Sequence, residues 1–406
     1  MDSLINAAAR ALAAGDPLGA LKRVALRDDA PALALRGIAM AQLGDFIRAK
    51  SLLRKAERAF GPKEAVARAR CAVAEAEVAL FSRDLGWPAK ALDSARTALE
   101  VHGDWVNAAH ARYLEVRYLL LIGHIDEAER KLDELEPMQV PAVLQTVHEL
   151  MAAGISIRRL RAKAASAALE RARRAAQDAN IPALTAEVET AYTVLNTPAA
   201  RLITSGKERL LLLEEVEALL ASEAFVVDAT RCVVREEGKL VSLAARPVLF
   251  ALARALAEAW PGDVPRDVLV ARAFESKIVN ESHRARLRVE LVRLRAMLRT
   301  LANVTATKQG FVLKPCRASE VVVLASPVEE EHAAVLAVLA DGESWSSSAL
   351  ALALGTSQRT VQRALESLAA AGKVQAVGRA RARRWMTPPL PGFTTTMLLS
   401  GPLSID

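Results

Sequence analysis

Two segments in the first half of the chain are copies of one another, and they constrain the fold more than any other feature. "GIAMAQLGDFIRAKSLLRKA" (Gly37 to Ala56) and "VRYLLLIGHIDEAERKLDEL" (Val116 to Leu135) share Gly-x-apolar-x-x-Ala-x-x-x-Leu. Gly44, Phe46, Ala49 and Leu53 carry the pattern in the first, and Gly123, Ile125, Ala128 and Leu132 in the second. Apolar residues recur at helical spacing on both sides of each glycine. The glycine therefore marks a turn between two antiparallel helices, and the alanine lets the second helix lie close on the first. A weaker copy runs through Gly86 and Ala91, and "AAGDPLGALKRVAL", around Gly15 and Ala20, reads as a degenerate first copy. Further helices are expected at 155–178 and 183–220. The plainer alternative is an alanine-rich helical bundle without true repeats.

The turn glycine, the small alanine and the leucine, repeated at Gly44, Gly86 and Gly123, resemble a tetratricopeptide-type helical repeat array with slightly elongated repeats. The resemblance implies a concave surface over residues 1–222 that takes a peptide, a partner protein or a second copy of the chain.

Composition agrees with a helical protein. Only 4% of the 406 residues are aromatic, and alanine, leucine and arginine dominate. The net charge of +7 is unevenly placed. Residues 1–224 carry 30 Lys/Arg and 30 Asp/Glu, residues 318–386 carry 7 and 7, but residues 225–317 carry 17 and 9. A surplus concentrated on one block is an electrostatic footprint for an anionic partner. Cys71, Cys232 and Cys316 form no CxxC pair, which suggests small buried residues in a reducing compartment. No leader-like start and no long apolar run is seen, so a cytoplasmic protein without membrane contact is expected. None of the six histidines (His102, His110, His124, His148, His283, His332) sits in HExxH or at metal spacing from a cysteine. Ser205-Gly206-Lys207 lacks the upstream glycine and the preceding strand of a P-loop, and Glu214, Glu215 and Glu217 read as a solvated helix face. We expect no enzyme, no metal and no cofactor.

At Glu223 the texture changes to valine-rich runs, with Glu237-Gly238 as a hairpin turn between two of them. Helices follow at about Pro247–Ala259, with Trp260-Pro261-Gly262-Asp263 ending the first, and at Arg266–Phe274. The third helix, capped by Asn280 or Ser282, carries Arg284, Arg286, Arg288, Arg293, Arg295 and Arg299. Leu287, Leu291, Leu294, Leu298 and Leu301 recur at helical spacing and anchor one side to a core. Within the helix only Glu281 and Glu290 can pair with these arginines. "VTATKQGFVLKP" closes the block as a hairpin, with Thr307 and Lys308 at its tip.

"GKLVSLAARPVLFALARALAE", "VPRDVLVARAF", "LRVELVRLRAMLR" and "TKQGFVL" stand in the order of strand-into-first-helix, second helix, recognition helix and wing. Together they resemble the DNA-binding domain of OmpR/PhoB-type winged-helix regulators, over about Phe225 to Pro315. The resemblance implies that the third helix enters the major groove, with Arg284, Arg286, Arg288, Arg293, Arg295 and Lys308 contacting DNA. The family's receiver domain, with its aspartate cluster, has no counterpart in residues 1–220. The histidine that often precedes the recognition-helix isoleucine is Glu290 here. Family positions that face bases fall near Ala285, Val289 and Val292, so base preference does not carry over.

A second unit follows. "EEEHAAVLAVLADG" reads as a helix. "SSSALALALGTSQRTVQRALESLAAAGKV" reads as helix, turn, helix, with caps at Ser346 to Ser348 and a core of Ala349, Leu352, Leu354, Val361, Leu365 and Leu368. "VQAVGRARARRWM" reads as a hairpin. The whole resembles the winged helix-turn-helix of DeoR- or MarR-like regulators. That implies DNA contacts from Gln358, Arg359, Thr360 and Arg363, and from Arg379, Arg381, Arg383 and Arg384 at the wing.

The expectation is thus a mainly α chain: a repeat array at 1–222, winged helices at 223–317 and 318–387, and a tail at 388–406. Its expected role is a DNA-binding transcriptional regulator whose tandem winged helices hold double-stranded DNA. The repeats would bind a protein partner or a second copy, and a homodimer is open. Two other readings stand beside it. One is an interaction scaffold whose winged helices mediate assembly. The other is RNA binding by the basic block, for which there are no stacking aromatics.

Overall fold

The computed structural model describes residues 3–84, 89–135, 141–274, 281–327, 332–339, 344–377 and 383–386. It is mainly helical. Eleven helices precede the first described strand: α1 (Ser3–Ala13), α2 (Pro17–Val24), α3 (Ala30–Gln42), α4 (Phe46–Ala59), α5 (Ala65–Phe81), α6 (Ala89–Val101), α7 (Trp105–Leu121), α8 (Ile125–Asp133), α9 (Ala142–Arg158), α10 (Ala162–Ala179) and α11 (Pro182–Leu195).

One turn recurs between these helices. Gly15, Gly44, Arg83, Gly103 and Gly123 all take positive φ at a helix end. The amide of the following residue reaches back to a carbonyl in the last turn: Asp16 to Ala11, Asp45 to Met40, Asp84 to Ala79, Asp104 to Leu99 and His124 to Leu119, at 2.8 to 2.9 Å. That satisfies carbonyls left open at the helix end. Asp16, Asp45 and Asp104 then accept from the amides of Gly19, Arg48 and Asn107, capping the next helix. One residue ends a helix and its neighbour starts the next, so consecutive helices double back. Gly86, expected at such a turn, lies outside the described residues. The left-handed position in the α5–α6 turn belongs to Arg83, which carries the conformation without glycine.

Alternate helices also touch, α1 with α3, α3 with α5, α5 with α7 and α7 with α9. Ala49, Ala128, Leu53 and Leu132 are buried, as their places in the repeated motif require. A Cβ on Gly37 would lie 2.8 Å from Leu53 Cγ, so α4 lies against bare backbone there.

Two compact units divide the chain. One holds 1–159, 163–193 and the segment from 332 onward, and the other holds 160–162 and 194–331. The second begins with a hairpin where helix was expected, β1 (Ala200–Thr204) and β2 (Lys207–Leu211). Its two-residue turn is Ser205-Gly206, both at positive φ. A strand does precede Ser205, therefore, but a second strand follows in place of a phosphate-binding helix. Then come α12 (Leu213–Ala221), β3 (Phe225–Asp228), β4 (Val233–Glu236), β5 (Lys239–Ser242), α13 (Pro247–Glu258), β6 (Val264–Pro265), α14 (Arg266–Phe274), α15 (Glu281–Leu298), β7 (Ala302–Ala306), β8 (Gly310–Pro315) and β9 (Val321–Ala325).

Six strands form one sheet, ordered β2-β1-β9-β3-β4-β5, with β9 parallel to β3 and antiparallel to β1. Both faces are covered. Phe225, Val227, Val321 and Val323 enter the core that includes α13 and α15, while Val226, Val322 and Leu324 pack with Val216 of α12. Burial on both faces explains an unbroken Val-Val-Val-Leu strand. The pairing also moves the boundaries expected at 222 and 317: residues 200–211 and 321–325 belong to this sheet. Glu237-Gly238 forms the expected turn between β4 and β5, both residues at positive φ.

The smaller sheet is β6-β8-β7. A Cβ on Gly310 would lie 1.8 Å from the Val264 carbonyl oxygen, because β6 passes directly over it. Gly310→Ala is expected to part β6 from β8 and to destabilise the fold by about 1–3 kcal/mol, the range for overpacking. Urea unfolding followed by circular dichroism checks this.

Past β9 come α16 (Ala333–Leu339), α17 (Ser347–Ala353), α18 (Gln358–Ala370), β10 (Gln375–Val377) and β11 (Arg384–Met386). Their core includes Leu350, Val361, Leu365 and Leu368 and runs on into Ala69, Val73, Leu80 and Leu99 of the helical array. Trp345, 1% exposed, lies under the Arg83 guanidinium at 5.4 Å. This segment thus shares its core with α5–α7. Leu352, expected inside, is 45% exposed, and Leu350 takes its place.

Candidate nucleic-acid interface

The candidate interface is built on α15. Leu287, Leu291, Leu294 and Leu298 are buried and fix the helix against α13, α14 and the β7–β8 hairpin. Burial of each leucine contributes about 1.5–3 kcal/mol, so the opposite face is held in a defined orientation. Residues 275–280, and with them the expected cap Asn280, lie outside the described residues. Ser282 sits inside the helix.

The arginines divide into groups. Arg288, 72% exposed at its side chain, meets the equally exposed Glu281 at 3.5 Å. Arg284 pairs with Asp267 of α14 at 3.3 Å, an acid outside the helix that the sequence pattern did not signal. Arg293 holds Glu290 at 2.9 Å and lines a shallow depression with Arg246 and Pro247. Arg286 lies over the Phe274 ring at 4.6 Å. The exposed Arg288–Glu281 and Arg284–Asp267 pairs contribute about 0–1 kcal/mol, so an anionic ligand displaces them at little cost, whereas the Glu290 carboxylate held by Arg293 is only 12% exposed. Arg295 differs. Its Nε donates to the Val304 carbonyl at 2.6 Å and its guanidinium faces Phe311 at 5.8 Å. It therefore braces the hairpin on the helix. Arg299 is exposed.

At the hairpin tip the Thr307 hydroxyl donates to Asp263 and accepts from the Gly310 amide at 2.8 Å. Thr307 thus shapes the turn, and Lys308 beside it is exposed. Arg266 approaches the same turn, 3.5 Å from the Thr307 carbonyl and over Phe311.

On α18 the residues Gln358, Arg359, Thr360, Gln362 and Arg363 are exposed. Ser357 caps the helix by accepting from the Thr360 amide, and Gln358 donates to Ser347 at 3.0 Å. Arg379 and Arg381 lie outside the described residues. Arg383 lies over the Trp385 ring at 4.3 Å, and Arg384 begins β11.

The helical array holds a polar cluster that residue spacing did not reveal. His110 meets Glu77 at 3.0 Å, both buried, and Tyr113 meets His148 at 3.3 Å. Arg171 donates to the buried Glu149 at 2.8 Å. Burial pushes the Tyr113 hydroxyl up to about 12 and pulls the His148 ring below its ordinary value. The groups come from four helices, α5, α7, α9 and α10, and every one of these pairs joins two of them, so no short motif announces the cluster. Among the described residues, no three His, Cys, Asp or Glu side chains gather as a metal site, and no helix is long and apolar enough to cross a membrane.

No protein-family model matches the chain, and no characterised protein or solved structure matches it either.

Proposed function

We propose that this chain is a DNA-binding transcriptional regulator whose α13–α14–α15 unit is a winged helix, with α15 in the major groove and the β7–β8 hairpin as its wing. The observation that carries this reading is α15 itself: one face is locked by four leucines, while Arg284, Arg286, Arg288 and Arg293 project from the rest of it. The charge surplus of residues 225–317 and the exposed Lys308 at the hairpin tip support it. The helix pairs α1–α11, with their recurrent turn, are read as a tetratricopeptide-like array for a protein partner or a second copy. Residues 332–386 are read as a second winged helix whose α18 reads bases.

The test is fluorescence anisotropy of the full chain with labelled random duplex DNA across a salt series. The expected result is binding that weakens steeply as salt rises, because arginines displace condensed counterions. Absence of binding at low salt by the folded chain overturns the proposal. Arg359→Ala is expected to change the ranking of selected sequences and to leave the salt slope nearly unchanged, since a base-edge contact discriminates by about 1–3 kcal/mol. Sequence selection on wild type and variant checks it.

One observation favours a second reading for residues 332–386. Trp345 and its neighbours are buried against α5–α7. A unit seated this way serves assembly, and an unaltered ranking with Arg359→Ala would select that role.

A further inference from the structure

Resting on the α15 reading above, we infer that α15 reads DNA through the 5-methyl groups of thymine. At 3.6 residues per turn, Ala285, Val289, Val292 and Ala296 form a stripe diametrically opposite the buried leucines. All four are exposed, Val289 by 50% and Val292 by 61%. Arg284 and Arg288 flank the stripe on one side, and Arg286 and Arg293 on the other. The helix therefore presents an apolar ridge between two rows of cations.

That cross-section complements a major groove, whose two walls are phosphate and whose floor is base edges. With the arginines drawn to the walls, the ridge meets the floor. None of its four residues has a hydrogen-bonding side chain; Glu281, one turn before Ala285, is engaged by Arg284 and Arg288. The one apolar group on the groove floor is the thymine methyl, so A·T steps with thymine toward the ridge are favoured. A protein partner fits less well, because exposed valines between two arginine rows would need an equally acidic surface on both sides.

The experiment selects duplexes from a random pool with the full chain at fixed salt. The best duplex is then resynthesised with deoxyuridine in place of thymidine, which removes only the methyls. We expect thymine runs in the selected site and a loss of about fourfold in affinity for each buried methyl removed. The Val289→Ser/Val292→Ser variant, altered only at exposed positions, is expected to bind thymine and deoxyuridine duplexes alike and to keep the wild-type salt slope. Equal wild-type affinity for the two duplexes, or discrimination that survives in the variant, overturns the inference while leaving DNA binding intact. No duplex binding at any salt overturns the underlying reading and this inference with it.

Discussion

Reversal of two charges, Arg288→Glu with Arg293→Glu, is expected to lower affinity on the order of 100-fold for every duplex sequence. It should also reduce the slope of log affinity against log salt by about 2, one counterion for each lost phosphate contact. Both side chains point outward; Arg288 meets the equally exposed Glu281, while Arg293 covers a Glu290 carboxylate that is only 12% exposed. The fold itself should not change, because Leu287, Leu291, Leu294 and Leu298 anchor the helix from its other side. Arg295→Glu is a poor substitute for this test, since Arg295 braces the Val304 carbonyl and its loss would loosen the hairpin. The measurement is anisotropy over a salt series, with circular dichroism to confirm that helix content is kept. An unchanged slope would remove α15 from the interface.

The second large effect is on stability. Trp345→Ala is expected to cost about 3–5 kcal/mol, the usual range for emptying a buried tryptophan site. Trp345 is among the largest fully buried side chains. Its backbone exchanges two 2.7 Å hydrogen bonds with Trp385, and Arg83 covers its ring. Because the cavity opens where α5–α7 meet the C-terminal helices, the loss should loosen both together. Urea unfolding of the full chain reads this as a lower midpoint, with Leu352→Ala, at an exposed position of α17, as the control. A loss below about 1 kcal/mol would mean that the shared core is not a packed one. The same contact explains why a fragment beginning at residue 221 is a poor vehicle for testing DNA binding: it removes the helices on which residues 332–386 rest.

The helix pairs, the Glu237-Gly238 hairpin and the Arg266–Phe274 helix were legible because each is specified by neighbours. A left-handed residue followed by an aspartate closes one helix and caps the next within a few bonds, so Gly44-Asp45 announces its turn locally, while Gly103-Asp104, which the repeat pattern passed over, closes another in the same way. The stretch 200–211 was not legible. Its leucines suit a helix as well as a strand, and it becomes β1 and β2 because β9, more than a hundred residues later, offers β1 an edge. The arginine row of α15 was visible as a row. That Arg295 turns to its own hairpin while Arg288 faces outward depends on where β7 lies, and Asp267 reaches Arg284 only because α14 packs alongside.

Read alone, then, the sequence carried the local grammar: the turns at Gly44 and Gly123, which face of α15 is leucine and which is arginine, and which block carries the excess charge. Those properties are written in turn chemistry and in a 3.6-residue period, and they need no distant partner. The tertiary structure alone decided the place of β9 between β1 and β3, the seating of Trp345 under Arg83, and which arginines remain outward. Those choices rest on burial between residues far apart in the chain, where apolar area removed from water and strand pairing outweigh local preference.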